Sequence, residues 1–328
     1  MLARRTFLGS TAAALAGAAA FGPHAALAAS PRKASIRFNW TMKGEFTPFV
    51  VAREKGFYRA AGIDVDLNPG TNGTQAVLSV AAGHDDFAYV PSIQLIEAVN
   101  RRLPVRAIAT CGTHTGMCWA SRADVPLTGP RSLEGHRVSI SPSSTFFQIW
   151  DAFAKRFNID VGKVEVVHAD PSARVALFLD KRVDIMADIF AANDFVILES
   201  KSKEKLNQFR VAQVGFDPLG YLLVTSTGLI DREPEFVRTF TTATLRGFEA
   251  TRDQPDDAAG IMARADDRLS PAVIRGQVHA MLTMLNDRPA IGRNDPGAWT
   301  RSIDILRHAG VITEELAAAQ YYTNAFVG

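Results

Sequence analysis

The sequence lacks an excess of charge of either sign. Its 36 lysine and arginine residues are matched by 34 aspartate and glutamate residues, which leaves a formal net charge of +2. Arg4 and Arg5 belong to an N-terminal leader, so the rest of the chain is neutral, and it contains no run of Lys or Arg. Nucleic-acid and anionic-membrane partners are recognised by basic patches. The composition therefore argues against both partners.

Cysteine is almost absent. Cys111 and Cys118 are the only two, and six residues separate them. In an oxidising compartment such a pair can form a local disulfide. A metal site that recruits His114 matches no common zinc spacing. We expect two buried thiols, with the disulfide as the alternative.

Enzyme signatures are also missing. The sequence has no G-x-S-x-G, no H-E-x-x-H and no glycine-rich dinucleotide fingerprint. Ser141, Ser143 and Ser144 form a serine cluster, but no histidine is placed near them by the sequence. We therefore expect no catalytic residues, no metal and no cofactor.

The N-terminus reads as an export signal. Arg4 and Arg5 precede an apolar run over 7–20, and Ala26-Leu27-Ala28 supplies small residues for cleavage. This arrangement is typical of a secretory signal peptide. The twin arginines before Thr6-Phe7-Leu8 favour the twin-arginine route over ordinary Sec export. We expect a leader over 1–28, removed near Ala28, and a soluble periplasmic product.

The remaining chain alternates between strand and helix patterns. Short apolar strands are predicted near 35–40, 63–67, 87–90 and 105–110, and a second series runs from 137 to 224. Beyond Glu235 the pattern is helical and is interrupted by Pro255, Pro271 and Pro289. Such alternation indicates parallel βαβ units. The fold class is therefore α/β, with two lobes and a cleft between them.

The candidate ligand site lies where loops follow the predicted strands, because ligands of open α/β sheets bind beyond the carboxyl ends of the strands. The relevant loops are 39–47, 70–74, 89–92, 141–145 and 188–193, and Lys43 is the only cation that we place at the mouth of the cleft. The alternative for each polar residue is a helix cap, and for most aromatic residues a place in the core. The candidates are Asn39, Trp40, Glu45, Phe46, Thr71, Thr74, Tyr89, Ser92, Ser141, Ser143, Ser144, Asp188, Phe190 and Tyr221.

Three segments resemble NMT1/THI5-like periplasmic solute-binding proteins of ABC transporters (the SsuA, TauA and ThiY type). The first runs from Phe49 through Ala52-Arg53-Glu54-Lys55-Gly56-Phe57 to Ala61-Gly62-Ile63-Asp64-Val65, similar to the family's A-x-E-K-G-F-F…G-L-x-V. The second is Leu133-Glu134-Gly135-His136-Arg137-Val138, similar to L-x-G-K-x-V. The third is Ala176-Leu177-Phe178-Leu179-Asp180-Lys181-Arg182-Val183-Asp184, similar to A-L-x-x-G-x-V-D-A. They occur in the family's order.

The resemblance implies a type II periplasmic-binding fold whose two lobes are joined by a two-segment hinge. Lobe one combines 31–120 with 226–328, and lobe two spans 121–225. It also implies closure around a solute and docking on an inner-membrane ABC permease with its cytoplasmic ATPase. We expect a monomer. A sensory binding domain is the alternative role, because it uses the same chemistry with a different docking partner.

The ligand is predicted from the residue types in the cleft. Asn39-Trp40 is similar to the D-W-x-P-N of the branch that binds thiamine-precursor pyrimidines, although its Asp, Pro and Asn are absent here. Aromatic and neutral polar residues favour a planar N-heterocycle or aromatic compound, stacked on Trp40 and faced by Phe46, Tyr89 or Phe190. Glu45 or Asp188 accepts its N–H groups. Sulfonate-, nitrate-, flavin- and aromatic-acid-binding relatives share the framework, so a small anion held by helix N-termini is the alternative.

Overall fold

The computed structural model describes residues 30–268, 270–285, 291–314 and 316–327. The expected leader over 1–28 and the helix break at Pro289 lie outside the described residues. No helix in the described part of the chain is long and apolar enough to cross a bilayer.

Two five-stranded sheets organise the chain. In the first sheet the strand order is β2-β1-β3-β10-β4. Its strands are β1 (Arg32–Phe38), β2 (Ile63–Asn68), β3 (Phe87–Pro91), β4 (Val105–Thr110) and β10 (Tyr221–Ser226). In the second sheet the order is β7-β6-β8-β5-β9. Its strands are β5 (Met117–Arg122), β6 (Arg137–Ser139), β7 (Glu165–Val167), β8 (Ile185–Phe190) and β9 (Leu206–Arg210).

Helices surround both sheets and, in the C-terminal part, mostly begin at proline. Proline fits the first helical turn because that turn needs no amide hydrogen there. Pro234, Pro255, Pro271 and Pro296 each begin a helix of the tail. The helices are α1 (Thr47–Glu54), α2 (Phe57–Ala60), α3 (Gly73–Ala81), α4 (Ser92–Asn100), α5 (Thr145–Arg156), α6 (Arg174–Leu179), α7 (Asp194–Lys201), α8 (Thr227–Arg232), α9 (Pro234–Asp253), α10 (Pro255–Ala265), α11 (Pro271–Leu282), α12 (Pro296–His308) and α13 (Ala318–Tyr321).

The sheets are mixed rather than wholly parallel, which corrects the sequence-based expectation. β1 runs parallel to β2 and β3, and β6 runs parallel to β7 and β8. β10 is antiparallel to β3 and β4, and β5 is antiparallel to β8 and β9. The antiparallel strands are the two that enter one sheet from the other. A helical crossover within a sheet makes its strands parallel, but these two strands arrive without one.

Within the described residues the chain passes between the sheets twice, over 111–116 and over 211–220. Both crossings come a few residues earlier than the boundaries expected from the sequence. β5 already pairs in the second sheet, and β10 already pairs in the first. Local apolar patterning predicts β10 but not β5, and it does not show which sheet either strand will join.

The crossing segments lie tightly against each other. The amide of Gly220 donates to the carbonyl oxygen of Gly112 at 2.9 Å. A Cβ added to Gly220 would sit 2.4 Å from the carbonyl oxygen of His114, so glycine is required there. Beside them the imidazole Nδ1 of His114 lies 2.7 Å from Oδ2 of Asp217. The two connections therefore form one paired unit.

The core is continuous between the lobes. One apolar cluster joins Val90 and Leu222 of the first sheet to Trp119 and Phe209 of the second. A second cluster fills the first lobe around Phe38, where it includes Cys111. Both cysteines are free and buried, as expected, and Cys118 lies in a third cluster. Burial raises the pKa of the Cys111 thiol to about 12.

Candidate functional site

A cavity lies between the two sheets, at the carboxyl ends of β1 and β8. The N-terminal ends of α3, α5, α6 and α7 also reach it. Its central space is about 40 Å³. It is lined by Asn39, Trp40, Lys43, Asn72, Gly73, Ser143, Ser144, Thr145, Pro171, Arg174, Asp188, Phe190, Asn193 and Asp194.

The first-lobe wall is the loop that follows β1. The carbonyl oxygen of Trp40 accepts a hydrogen bond of 3.0 Å from the amide of Gly70, which ties this loop to the approach to α3. Gly70 is needed because a Cβ there would lie 1.9 Å from the carbonyl oxygen of Phe38. Lys43 lies further along the loop. Its Nζ is 2.8 Å from Oε2 of Glu45, and both side chains are buried.

The second-lobe wall is built on a buried triad of charges. Arg174, at the start of α6, places Nη1 at 3.0 Å from Oδ2 of Asp188 and Nη2 at 2.5 Å from Oδ1 of Asp194. The second carboxylate oxygen of Asp194 accepts from the amide of Phe190 at 3.1 Å. The triad therefore connects the end of β8 to the starts of α6 and α7, and it holds the Phe190 backbone in place.

Burial and charge oppose each other within this triad. Burial raises the pKa of Asp188 above its ordinary value, although the Arg174 charge and a hydrogen bond from the Ser141 amide work in the other direction. Burial favours a neutral Arg174 side chain, but the charges of Asp194 and Asp188 outweigh it and raise the pKa of Arg174. Arg174 is therefore a permanent buried cation at the cavity wall.

Two of the helices that begin at the cavity have side-chain caps. Asn72 accepts from the amide of Gln75 at 2.8 Å at the start of α3. Ser144 accepts from the amide of Phe147 at 3.1 Å at the start of α5. A capping side chain satisfies only part of the amides in the first turn. The positive ends of these helix dipoles are directed at the cavity region.

Six of the sequence-predicted residues line the cavity: Asn39, Trp40, Ser143, Ser144, Asp188 and Phe190. Four other predicted residues do not line the cavity but form polar contacts next to it. Tyr221 accepts a hydrogen bond of 3.3 Å from Nδ2 of Asn39, and the amide of Ser141 donates to Asp188 at 2.8 Å. Glu45 pairs with Lys43, as described above. Thr74 accepts from Nε2 of Gln148 at 3.1 Å.

The remaining four predicted residues do not line the cavity. Phe46 stacks on Phe38 with ring centroids 4.2 Å apart, and Tyr89 stacks on Tyr221 at 4.9 Å, both in the core of the first lobe. The hydroxyl of Ser92 donates to the carbonyl oxygen of Leu219. Thr71 lines a separate surface groove. Their positions in the chain are near the site, but their side chains point to other surroundings.

Sequence reasoning missed several wall residues, and Arg174 changes the electrostatic picture most. With Arg174 present, Lys43 is not the only cation at the site. Arg174 follows Pro171 in a stretch that reads as an ordinary helix, and no local signal distinguishes it from a solvated surface arginine. The other wall residues not predicted are Asn72, Gly73, Thr145, Pro171, Asn193 and Asp194.

Hydrogen bonds link the lobes on both sides of the cavity. Gln94 of α4 donates through Nε2 to Thr145 at 3.2 Å and to Gln148 at 2.8 Å. On the other side, Nε2 of Gln277 donates to Oδ1 of Asn193 at 2.8 Å. Oε1 of Gln277 accepts from the amide of Gly44 at 2.7 Å. These contacts hold the lobes together in the described conformation.

No group of three or more His, Cys, Asp or Glu side chains within the described ranges is arranged to hold a metal ion.

The model of the NMT1/THI5-like family matches residues 43–258, which is more than half of the chain. The chain belongs to the NMT1/THI5-like family. The family expected from the sequence is thereby confirmed.

Individual relatives agree with this assignment. The riboflavin-binding protein RibY of Chloroflexus aurantiacus is 26% identical over 293 residues, covering 86% of this chain and 82% of RibY. The formylaminopyrimidine-binding protein of Halalkalibacterium halodurans is 20% identical over 279 residues, covering 83% of each chain. Enzymes also occur among the relatives. A 4-amino-5-hydroxymethyl-2-methylpyrimidine phosphate synthase of Legionella pneumophila is 21% identical over 314 residues, covering 92% of this chain and 94% of the synthase.

Solved structures confirm the fold. The periplasmic aliphatic sulphonate binding protein SsuA of Escherichia coli superposes with a TM-score of 0.68 at 13% identity, covering 89% of this NMT1/THI5-like chain and 92% of SsuA. The two-lobed periplasmic-binding fold expected from the sequence is therefore confirmed.

Proposed function

We propose that this protein is the extracytoplasmic component of an ABC importer and captures a small planar N-heterocycle or aromatic compound, such as a thiamine-precursor-like pyrimidine, by lobe closure. The observation that carries the proposal is the cavity shared by the two lobes. Trp40 of the first lobe and Phe190 of the second both line it. Aromatic side chains bind planar rings by stacking and by apolar burial. RibY and the formylaminopyrimidine-binding protein are named for ring compounds.

Closure is part of the proposal because the described cavity is small. Its space of about 40 Å³ is far below the ~300 Å³ at the lower end of ligand pockets. A ring compound therefore enters only after the lobes separate. We assign the hinge to the crossings over 111–116 and 211–220, with the lobes formed by the two sheets and the helices packed on them.

We propose binding without chemical conversion of the ligand. The serine hydroxyls at the wall already have structural partners. Oγ of Ser144 caps α5, and Oγ of Ser143 lies 3.2 Å from Oγ of Ser141. A hydroxyl with such partners stabilises the loop rather than being activated by a base. Recovery of the bound solute unchanged after prolonged incubation tests this point.

A small anion is the second candidate ligand. The observation in its favour is the convergence of the α3 and α5 N-termini on a cavity that also contains Lys43 and Arg174. The taurine-binding periplasmic protein of Escherichia coli and SsuA are named for sulfonated compounds.

We further propose that the protein is an exported periplasmic monomer that delivers its solute to an inner-membrane permease with a cytoplasmic ATPase. Arg4, Arg5 and the Ala26-Leu27-Ala28 segment support removal of the leader near Ala28. N-terminal sequencing of the exported protein tests this cleavage.

The ligand class is tested first by native mass spectrometry of the purified protein, which should detect a retained ring compound. Thermal unfolding with candidate solutes then tests binding. A ligand at about 100 times its dissociation constant stabilises the folded state by about 2.7 kcal/mol. Trp40→Ala should reduce this ligand-induced stabilisation. Phe147→Ala, which removes an exposed ring outside the cavity wall, should not. Stabilisation by nitrate and sulfonates alone, unchanged in Trp40→Ala, would contradict the ring proposal.

A further inference from the structure

Three polar atoms on side chains of the cavity wall have no hydrogen-bond partner within the described part of the chain. They are Oδ1 of Asn39, Oδ1 of Asp188 and Nε of Arg174. Their residues are 7%, 3% and 6% exposed, respectively. Buried polar atoms of native proteins nearly always have a partner, because their loss of water is otherwise uncompensated.

The rest of each side chain is already fixed in place. Nδ2 of Asn39 donates to the hydroxyl of Tyr221. Oδ2 of Asp188 accepts from the Ser141 amide and from Arg174. Both terminal nitrogens of Arg174 donate to carboxylates. Because these contacts hold the side chains, the three remaining atoms form a preorganised set of two acceptors and one donor.

The two acceptors belong to different lobes. Asn39 follows β1 of the first sheet, and Asp188 lies near the end of β8 in the second. Acceptors are satisfied only by N–H or O–H donors. A deprotonated sulfonate, nitrate or carboxylate group offers acceptor oxygens alone, so it can partner Arg174 but neither acceptor.

Formal charge also acts against an anion. Lys43 and Arg174 contribute two positive charges at the site, and Glu45, Asp188 and Asp194 contribute three negative ones. Both cations are already in direct contact with carboxylates. An added anion would increase the excess of negative charge in a region of low dielectric constant, which is unfavourable.

We propose that the ligand is a neutral or cationic N-heterocycle with at least two N–H donors, one bound by Asn39 Oδ1 and another by Asp188 Oδ1, and an acceptor that faces Arg174 Nε. The inference rests on the proposed function and specifies the ligand class further. Because the acceptors lie in separate lobes, such a ring joins the two lobes directly. Amino-substituted pyrimidines and cyclic amides have the required groups.

The test compares ring compounds with and without N–H donors by isothermal titration calorimetry. 2,4-Diaminopyrimidine is paired with 2,4-bis(dimethylamino)pyrimidine, and uracil is paired with 1,3-dimethyluracil. Methanesulfonate serves as the acceptor-only anion. We expect at least one donor-bearing ring to bind at least about tenfold more tightly than its methylated partner, since a buried acceptor left unpaired costs this much or more. Methanesulfonate should show no binding.

Asn39→Leu, which removes the first-lobe acceptor at similar side-chain volume, should weaken binding of the donor-bearing ring about tenfold. Asn100→Leu, at the end of α4 and outside the cavity wall, is the control and should leave binding unchanged. Equal binding of both members of each pair would overturn this inference but leave the ring proposal standing. Binding of methanesulfonate, with no ring bound, would overturn both. The ligand pairs decide the question even if Asn39→Leu does not fold.

Discussion

Arg174 is the residue whose charge matters most to the electrostatics of the site, because it compensates two buried carboxylates. Its side chain is 7% exposed and contacts both Asp188 and Asp194. A buried ion pair need not be stabilising in itself, because both charges lose their water on folding. Removing one partner is different, since it leaves the other charge buried without compensation. The triad therefore fixes the geometry of the second-lobe wall. Removing one of its charges destabilises the folded state.

Replacing Arg174 by methionine should lower the free energy of unfolding by about 3–5 kcal/mol, the typical effect of breaking a buried ion pair. Urea unfolding followed by circular dichroism measures it. Arg252→Met provides the control, because Arg252 forms an ion pair with Asp253 in which both side chains are exposed. Surface pairs contribute little, so the control should unfold like the unaltered protein. If both variants gave the same urea-unfolding curve, the triad would not contribute to the free energy of unfolding.

At the scale of elements, Asp184 joins three strands of the second sheet. It immediately precedes β8. One of its carboxylate oxygens accepts from the amide and Nε of Arg137 in β6, both at 3.0 Å. The other accepts from Nη2 of Arg122, at the end of β5, at 3.1 Å. Hydrogen bonds from Arg137 are the main reason that the pKa of Asp184 falls to about 2, and Arg122 contributes as well.

This lowered pKa predicts a specific dependence of stability on pH. An unfolded aspartate has a pKa of about 3.9, so the folded protein binds the proton less readily than the unfolded chain does. The stabilisation is complete above that value and is lost as the pH falls through about 4 towards 2. In Asp184→Asn the melting temperature should be lower at neutral pH and should fall less steeply over this range.

Differential scanning fluorimetry between pH 5 and pH 2 measures the slope. Asp124→Asn is the matched control, because the Asp124 side chain is 74% exposed and its Oδ1 lies 3.8 Å from Nε of the same Arg122. The melting temperature of this control should change with pH as that of the unaltered protein does. Parallel curves for Asp184→Asn and the unaltered protein would show that the Asp184 contacts do not couple the strands.

At the scale of the whole molecule, two lobes are joined by paired crossings and by hydrogen bonds around the cavity. Gln277 of α11 contacts the first-lobe loop at Gly44 and the second-lobe residue Asn193 with the same amide group. Its side chain is fully buried. A ligand shifts a two-state equilibrium only through contacts that differ between the states. We infer that Gln277 favours the closed state even before a solute adds its own contacts.

Gln277→Ala should therefore enlarge the radius of gyration measured by small-angle X-ray scattering without ligand, because lobe separation loses fewer hydrogen bonds. A bound solute should restore the compact form. Gln320→Ala, on the exposed face of α13, is the control. If the radius of gyration is the same in both variants, Gln277 does not control the balance between open and closed states.

The sequence alone determined the α/β class, the family and the part of the site at strand ends. Asn39, Trp40, Asp188 and Phe190 were predictable because a strand's carboxyl end can be located from local apolar patterning. Tertiary structure decided the rest. The inward direction of Arg174, the stacking of Phe46 on Phe38 and the insertion of β10 between β3 and β4 all depend on which distant elements pack together. Packing of this kind is a property of the assembled lobes, and a local pattern of residue types does not encode it.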